Sequence, residues 1–421
     1  MIKLKKGIPL YDQHDKNYMY GGKFGSNYIP ETLWKPVEDL TKTFNKLRND
    51  KKFLREKEHY FNEYIGSPTP FVRLTNLSRH LGGAEIWAKD ISKAKFGCHK
   101  IYSVIVHALI CKRSGKKAWS TETGAGYNGK VVAMVGKHFK IPTTVFMGKR
   151  DYLRQSPNVN FMKKAGAKVI PVDVGSKSLI EATSESMRYW VANCDKSHLV
   201  VGSVVGPNIF QKICAWSVSQ ISKELKIQIN NTFKKMPKKL KLVSAVGGGS
   251  SSYGLWDNFI DYDKKQVELI GIEAEGKRTS KLHSAPLSKN CKLGILHGSA
   301  QYVFQNKEGQ INSSESISSG LSYSGISSLH CLLKDAKRAK YYSVNDDQVL
   351  EAFKIVTKLE DRVSPSLEPL HAYAWVIANA KKFDKSTIIV IGNSGHSYKD
   401  KHIIQEELGY YPNDIEDIAS I

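Results

Sequence analysis

Lys100 stands in the segment FGCHKIYSV, at the start of an apolar run that predicts a largely buried helix. An ammonium group is costly to bury, and burial lowers its pKa, which turns a lysine into a nucleophilic amine. Such an amine forms Schiff bases with aldehydes. For a lysine considered alone, a side chain that reaches the surface is the more common alternative.

A glycine-rich turn in AVGGGSSSYGLW is the second candidate site. An apolar strand at 240–246 runs into Gly247, Gly248, Gly249 and Ser250, and a helix is predicted to follow. Glycines let the backbone approach an anion, and a helix N-terminus presents free amides, so the pattern predicts a phosphate site. A tight turn without a ligand is the alternative. This turn contains no GxGxxG motif and no Walker lysine follows it, which disfavours nucleoside triphosphates and dinucleotides at this site.

Glu122 lies in STETGAGYNGK, between a predicted strand and a predicted helix. The residues that follow it, Thr123, Gly124, Ala125 and Gly126, offer a second group of backbone amides, suited to a substrate carboxylate. A carboxyl group beside such amides can serve as a general acid and base. An exposed loop glutamate is the more common alternative.

The elements that must position these residues alternate along the chain. From residue 66 onward, short β-rich runs are separated by helical stretches, which is typical of parallel βαβ units. With 421 residues, the chain is long enough for two domains. We expect an α/β fold of two lobes, each a twisted, mostly parallel sheet flanked by helices, with the active site between them. The expected division places an N-terminal domain at 1–217 and a C-terminal domain with the glycine loop at 218–421.

Composition narrows the class of protein. The apolar fraction of 41% and the aromatic fraction of 10% predict packed, globular cores. The six cysteines are scattered and no histidine cluster has metal-ligand spacing, so we expect no metal site of that kind and reduced thiols in the cytoplasm. No apolar run of ~18 residues predicts a membrane span. The net charge of +23 is spread along the chain without a nucleic-acid-binding motif, which favours an anionic small molecule or an acidic partner protein.

Together and in this order, the motifs resemble the tryptophan synthase β chain family, a group of fold type II pyridoxal-phosphate enzymes. The segments GGKFGSNYIPETL and YIGSPTPFVRLTNLSRHLGG match its N-terminal part, and CHK, ETGAG, RQSPNV, GAKVIPV, GGGS, LHG, GQI, SSGL, LEPLHA and GNSG follow in family order. The resemblance covers nearly the whole chain. It implies the condensation of L-serine with indole to give L-tryptophan.

The resemblance also implies roles for particular residues. Lys100 would hold pyridoxal 5'-phosphate covalently and carry the α-proton, and Glu122 would be the acid-base group. The implied cofactor contacts are His99, Lys100, Ser203, Gly247, Gly248, Gly249, Ser250, Ser251, Glu368 and Ser394. The implied contacts of the substrate carboxylate are Thr123, Gly124, Ala125, Gly126, Tyr127 and Asn128. A neutral serine hydroxyl at the pyridine nitrogen suits β-elimination and β-replacement.

Assembly follows from the same resemblance. The family forms β-chain homodimers, receives indole through a tunnel from an α subunit and uses a monovalent cation, either Na⁺ or K⁺. A mobile communication subdomain is implied at about 115–202. The expected partners are therefore L-serine, indole, a second copy of the chain and a tryptophan synthase α subunit, with no nucleic acid and no membrane.

Six residues near the implied site depart from the family pattern. They are Tyr102, which stands where the family has a cofactor-facing asparagine, and Tyr127, Asn128, Ser251, Ser322 and His396. A re-tuned tryptophan synthase is one interpretation, because Lys100 and Glu122 are present. A serine or threonine deaminase, or another β-replacement enzyme, is the second. A non-catalytic, cofactor-bound partner subunit ranks third, because a buried lysine and a phosphate site are costly to keep without use.

Overall fold

The computed structural model describes residues 2–413 and 415. Its β-strands are β1 Met19–Tyr20, β2 Phe24–Gly25, β3 Phe71–Arg73, β4 Glu85–Asp90, β5 Ala118–Thr123, β6 Thr143–Gly148, β7 Lys168–Val172, β8 Ser197–Val200, β9 Leu240–Ala245, β10 Val267–Gly276, β11 Lys292–Leu296, β12 Ser299–Val303, β13 Ala339–Asn345 and β14 Ile388–Asn393. Its α-helices are α1 Glu31–Leu47, α2 Lys51–His59, α3 Thr75–Leu81, α4 Lys100–Arg113, α5 Tyr127–Phe139, α6 Lys149–Arg154, α7 Ser156–Lys164, α8 Leu179–Asn193, α9 Asn208–Phe233, α10 Ser250–Trp256, α11 Ser328–Asp335, α12 Asp346–Leu359, α13 Leu367–Asn379 and α14 Lys401–Leu408.

The larger parallel sheet has the strand order β13-β10-β9-β14-β4-β3. Every neighbouring pair is parallel except β3 and β4, which are antiparallel. Strands β9 and β14 are buried along their whole length, because their apolar sequences LKLVSA and IIVIGN are covered by protein on both faces. Helices α10 and α13 pack against β9.

The smaller sheet has the order β7-β6-β5-β8, and all of its neighbouring strands are parallel. Helix α8 packs against β5 and β6, and α4 packs against both α5 and α9. The two parallel sheets with their helices confirm the expected α/β fold class. In such folds, ligands bind at the carboxyl ends of the strands. Glu122 lies near that end of β5, and the glycine turn follows that end of β9.

A third sheet is antiparallel, with the order β1-β2-β12-β11. The alternation of strands and helices in the sequence did not predict it, because its strands are only two to five residues long. It joins the N-terminal segment to the hairpin of β11 and β12, which are far apart in the chain.

The division expected near residue 217 falls inside α9. Strands β3 and β4, which precede it, pair within the larger sheet, whose other strands follow it. Segments on both sides of residue 217 therefore contribute strands to the larger sheet. The two-domain division, with its mobile subdomain at about 115–202, stays a prediction. No helix in the described part of the chain is long and apolar enough to cross a membrane.

Candidate active site

Lys100 is the first residue of α4, and all of the next eleven residues of that helix, 101–111, are buried. The predicted buried helix is therefore confirmed. Residues 101–111 are almost entirely apolar, so this helix packs on all sides. The Lys100 Nζ donates a hydrogen bond of 2.8 Å to the carbonyl oxygen of Gly202, which follows β8. The amine lines the cleft between the two parallel sheets.

Glu122 is buried, with 6% of its surface exposed, so the exposed-loop alternative is wrong. Its Oε1 accepts a 2.7 Å hydrogen bond from the backbone N–H of Gly202, while its Oε2 is buried without a partner among the described residues. Burial raises the pKa of Glu122 to about 7, against the opposing effects of the Gly202 amide and the Lys100 charge. At neutral pH the carboxyl group can therefore both give and accept a proton.

The glycine turn between β9 and α10 leaves no room for side chains. A Cβ atom on Gly247 would lie 2.9 Å from the Gly320 carbonyl oxygen, and one on Gly248 would lie 2.5 Å from the Ser203 Oγ. Gly249 has a φ of 99°, a conformation that favours glycine. The backbone of this turn lines the cleft, together with Ser203. A small anion can therefore approach its amides closely.

His99 connects α4 to the start of α10. Its Nε2 lies 2.9 Å from the Ser250 Oγ, and its backbone N–H donates to the carbonyl oxygen of Ser394 at 3.1 Å. Burial, followed by the nearby Lys100 charge, lowers the pKa of His99 to about 3. The imidazole is therefore neutral at physiological pH. The next hydroxyl along, that of Ser251, is buried and has no partner among the described residues.

Glu368 and Ser394 lie on the side of the cleft formed by α13 and the end of β14. The Glu368 Oε1 accepts from the Lys399 Nζ at 2.7 Å, and its Oε2 accepts from the Ser366 hydroxyl at 2.7 Å. Burial by itself raises the pKa of Glu368. The Lys399 charge and the Ser366 hydroxyl have the larger, opposite effect, and the net result is a pKa of about 2. Glu368 is therefore ionised. Lys399 also binds Asp400 at 2.6 Å.

The loop and helix start after Glu122 form another wall of the cleft. Its residues Thr123, Gly124, Ala125, Tyr127 and Asn128 line the cleft. Gly126 does not: it precedes α5 with a φ of 88°, and a Cβ there would contact Asn158. The structure therefore brings together all of the residues implied by the resemblance except Gly126.

The side chains of Tyr127 and Asn128 are engaged within the protein. The Tyr127 hydroxyl donates to the carbonyl oxygen of His396 at 3.0 Å. The Asn128 amide donates to the Thr121 hydroxyl at 2.7 Å and to the Glu122 carbonyl oxygen at 2.8 Å. These two side chains brace the wall of the cleft.

Tyr102 does not face the cleft, contrary to the expectation from the resemblance. Its ring packs edge-on against Phe61 with the centroids 5.2 Å apart, and its hydroxyl lies 3.4 Å from the Glu224 Oε1. Two residues along an α-helix rotate a side chain by about 200°, so Tyr102 points away from Lys100. Ser322 and His396 are also outside the cleft lining.

Comparison with known proteins identifies the class of enzyme. A family model described as pyridoxal-phosphate dependent enzyme matches residues 63–395. The chain belongs to this family of enzymes. It is 38% identical over 380 residues to the tryptophan synthase beta chain of Chromobacterium violaceum, covering 90% of this chain and 94% of that protein. The resemblance to tryptophan synthase β chains is thus confirmed, and the protein is a pyridoxal-phosphate-dependent lyase related to them.

Two solved structures share the fold of this pyridoxal-phosphate enzyme. Diaminopropionate ammonia lyase from Escherichia coli, in complex with an aminoacrylate–pyridoxal-phosphate azomethine intermediate, has a TM-score of 0.63 and 16% identity, covering 91% of this chain and 93% of its own. A pyridoxal 5'-phosphate-dependent aspartate racemase has a TM-score of 0.58 and 16% identity, covering 87% and 97%. At these identities the likeness concerns the fold alone.

The residues present fit the cofactor of the family. Pyridoxal 5'-phosphate needs an amine for its aldehyde, donors for its phosphate and a partner for its ring nitrogen. The cleft offers the Lys100 amine, a glycine turn with no space for side chains and the unpartnered Ser251 hydroxyl. The described residues contain no group of three or more His, Cys, Asp or Glu that could hold a metal ion.

Several residues of this pyridoxal-phosphate site were missed from the sequence. Gly202 holds Lys100 and Glu122, and Lys399 holds Glu368. A single glycine after the run HLVV carries no distinctive signal. The Lys-Asp pair at 399–400 offered a weak one, because it follows closely on the GNSG segment, and charged side chains that are buried near a site need partners.

Proposed function

We propose that the chain catalyses the β-replacement reaction of tryptophan synthase β chains, in which L-serine and indole give L-tryptophan. The observation that carries the proposal is the pairing of Lys100 and Glu122 through Gly202, with the Glu122 pKa at about 7. An amine and a carboxyl group poised at neutral pH are the two proton carriers that this reaction needs. The similarity to a tryptophan synthase beta chain supports the same function.

In this proposal the cofactor is held by residues already described. Lys100 would hold it covalently, Ser394 would serve its ring nitrogen and Glu368 would lie on the same side of the cleft as Ser394. The phosphate contacts are His99, Ser203, Gly247, Gly248, Gly249, Ser250 and Ser251. Bound pyridoxal 5'-phosphate supplies an electron sink that acidifies the α-carbon of an amino acid. The hydroxyl of Ser394 is neutral, so it does not force the ring nitrogen to carry a proton.

In this proposal, two residues carry out the proton transfers. Lys100 would accept the α-proton of L-serine at its Nζ and later return it. Glu122 delivers a proton to the β-hydroxyl as it leaves, and its carboxylate accepts a proton when indole adds. The unpartnered Oε2 of Glu122 is the atom free for these transfers. The second oxygen stays fixed by the Gly202 amide.

Recognition of the substrate carboxylate rests on backbone amides. Among the described residues that line the cleft, Lys100 is the only lysine and there is no arginine. The amides that follow Glu122, at Thr123, Gly124 and Ala125, are therefore the donors assigned to the carboxylate, with Tyr127 and Asn128 fixing their loop.

The assembly that we propose follows the tryptophan synthase family. The chain would form a homodimer in the cytoplasm, receive indole directly or from an α subunit, and use a monovalent cation, Na⁺ or K⁺. Sedimentation of the purified protein, with and without an α subunit, tests whether the chain forms a homodimer and whether it binds an α subunit. Activity in buffers that contain only one cation tests the last.

Incubation of the cofactor-loaded enzyme with L-serine, with and without indole, tests the proposed reaction. Tryptophan, pyruvate and ammonia are followed together. Formation of tryptophan supports the proposal. Pyruvate and ammonia without tryptophan would replace it with a deaminase, and no product from either incubation would favour a non-catalytic subunit.

A further inference from the structure

A fully buried histidine packs against the glycine turn from outside the cleft. His330 belongs to α11 and is not among the residues that line the cleft. A Cβ atom on Gly249 would lie 2.5 Å from the His330 Cδ2, so the ring touches the backbone of the turn. The roles proposed above do not use this residue.

The hydrogen bonds of His330 connect three elements. Its Nε2 lies 3.0 Å from the carbonyl oxygen of Gly249, which precedes α10, and its Nδ1 lies 2.8 Å from the hydroxyl oxygen of Tyr341 on β13. The Ser252 Oγ lies 3.0 Å from the same Nε2. One imidazole ring thus ties α11 both to the glycine turn and to the edge strand of the larger sheet.

These neighbours decide which ring nitrogen carries the proton. A carbonyl oxygen only accepts, so the Nε2 beside Gly249 is protonated and the Nδ1 accepts from the Tyr341 hydroxyl. The opposite tautomer would set two acceptors against each other at 3.0 Å. Burial lowers the pKa of His330 to about 4, which keeps the ring neutral at physiological pH. His330 is therefore a neutral donor to the Gly249 carbonyl.

The carbonyl that His330 holds belongs to the peptide group between Gly249 and Ser250. A peptide group is planar and trans, so its N–H points the opposite way from its C=O. The same carbonyl accepts the first hydrogen bond of α10, from the Tyr253 N–H at 3.0 Å. The Ser250 N–H therefore points out of the start of that helix, where Gly249 and Ser250 line the cleft.

A turn of glycines needs an outside contact to hold this orientation. Gly247, Gly248 and Gly249 have no side chains that could fix them by packing, and glycine loses more conformational freedom on ordering than any other residue. An anion binds more tightly when the donors are oriented before it arrives, because the cost of ordering them is already met by the fold.

We propose that His330 is a positioning residue that orients the Gly249–Ser250 peptide group so that its N–H serves the cofactor phosphate. This inference rests on the part of the proposed function that assigns the glycine turn to the phosphate. Tyr341 supports the arrangement by fixing the tautomer of the imidazole. His330 acts through the turn, since it does not line the cleft itself.

Pyridoxal 5'-phosphate and pyridoxal test the proposal, because they differ only in the phosphate group. The full-length enzyme, from which the cofactor has been removed, is titrated with each compound, and binding is followed by visible absorbance. The readout is the dissociation constant of pyridoxal divided by that of pyridoxal 5'-phosphate. A general structural defect weakens the binding of both compounds and leaves this ratio unchanged.

His330→Leu should lower the ratio about fivefold, through weaker binding of the phosphorylated compound, because one neutral hydrogen bond that orients the amide is lost. His330→Gln restores an N–H donor and should keep the ratio near its natural value. Tyr341→Phe should lower the ratio by a smaller factor, because the tautomer is no longer fixed. His107→Leu is the matched control: it removes a buried histidine that contacts His198 instead of the turn, and it should leave the ratio unchanged.

An unchanged ratio in His330→Leu would overturn the proposal. If that variant does not fold, an unchanged ratio in Tyr341→Phe would overturn it instead. An equal fall in His330→Leu and His330→Gln would also contradict it, because the packing of the ring against Trp256, and not its hydrogen bond, would then set the ratio. Since the readout is cofactor binding, absence of tryptophan synthesis by the natural protein would overturn the proposed reaction and leave this inference standing.

Discussion

Lys100 and Glu122 are joined through the backbone of a single residue. The Lys100 Nζ donates to the carbonyl oxygen of Gly202 at 2.8 Å, and the N–H of the same residue donates to the Glu122 Oε1 at 2.7 Å. Gly202 follows β8, which pairs directly with β5, the strand that carries Glu122. The relative position of the two groups is therefore set by a sheet and one short loop.

Replacement of Lys100 by alanine should abolish the visible absorbance band of the cofactor-loaded protein. It should also lower turnover by more than about a thousandfold, because the group that moves the α-proton is lost. Borohydride treatment of the natural protein should fix the cofactor to a peptide that contains Lys100. Lys149→Ala, on an exposed side chain, serves as the control. A coloured, active Lys100→Ala protein would contradict the assignment.

Replacement of Glu122 by glutamine keeps the shape and the hydrogen bond to Gly202 but removes the titrating proton. Cofactor absorbance should be retained, while turnover falls about a hundredfold to ten-thousandfold. Spectra and steady-state rates on one preparation separate the two effects. Unaltered turnover would remove Glu122 from the mechanism.

The pH dependence of turnover should carry the titration of Glu122. If its proton is needed to release the β-hydroxyl, turnover is highest below a pKa of about 7 and falls as the pH rises through that value. The limb near pH 7 should be missing from the residual activity of Glu122→Gln. A limb of unchanged position in that variant would assign it to another group.

Replacement of Lys399 by methionine should destabilise the folded protein. Lys399 is buried between Glu368 and Asp400, and its loss leaves two carboxyl groups without their cation. We expect a loss of about 3–5 kcal/mol in the free energy of unfolding, measured with urea. Adding Glu368→Gln to this variant should recover part of that loss. Equal stability of the single and double variants would mean that the two charges are not coupled.

Acidification should destabilise the fold through His107 and His198. They form a buried pair with 2.8 Å between the His107 Nδ1 and the His198 Nε2. Burial lowers the pKa of His107 well below its usual value and that of His198 to about 3. The unfolded chain binds protons at about pH 6.5, so the stabilisation is complete above that pH and is lost as the pH falls toward the folded value.

Urea unfolding between pH 7.5 and pH 5 tests the histidine pair. The free energy of unfolding should fall more steeply with decreasing pH in the natural protein than in His198→Gln. Other buried histidines, among them His330 and His371, contribute a background slope that both proteins share. Identical slopes would exclude the pair as a source of the acid sensitivity.

The fold class and much of the site could be predicted from the sequence because their signals are local. The apolar residues after Lys100 and those of the strand before Gly247 predict that both segments are buried, as they are in the structure. The direction of Tyr102 was predicted wrongly, because a motif match ignores the rotation of side chains around a helix. Contacts such as that of Lys399 with Glu368 join distant parts of the chain, and no periodicity in the sequence reports them.

Gly202 itself cannot be replaced without cost. A Cβ atom at this position would lie 2.5 Å from the Asn128 amide, which also holds the backbone of Glu122. A mutation there would disturb the amine and the carboxyl group at once, although it alters no catalytic side chain. A mutational scan limited to reactive side chains would overlook Gly202. The loss of activity caused by a substitution there would be mistaken for a defect in cofactor binding.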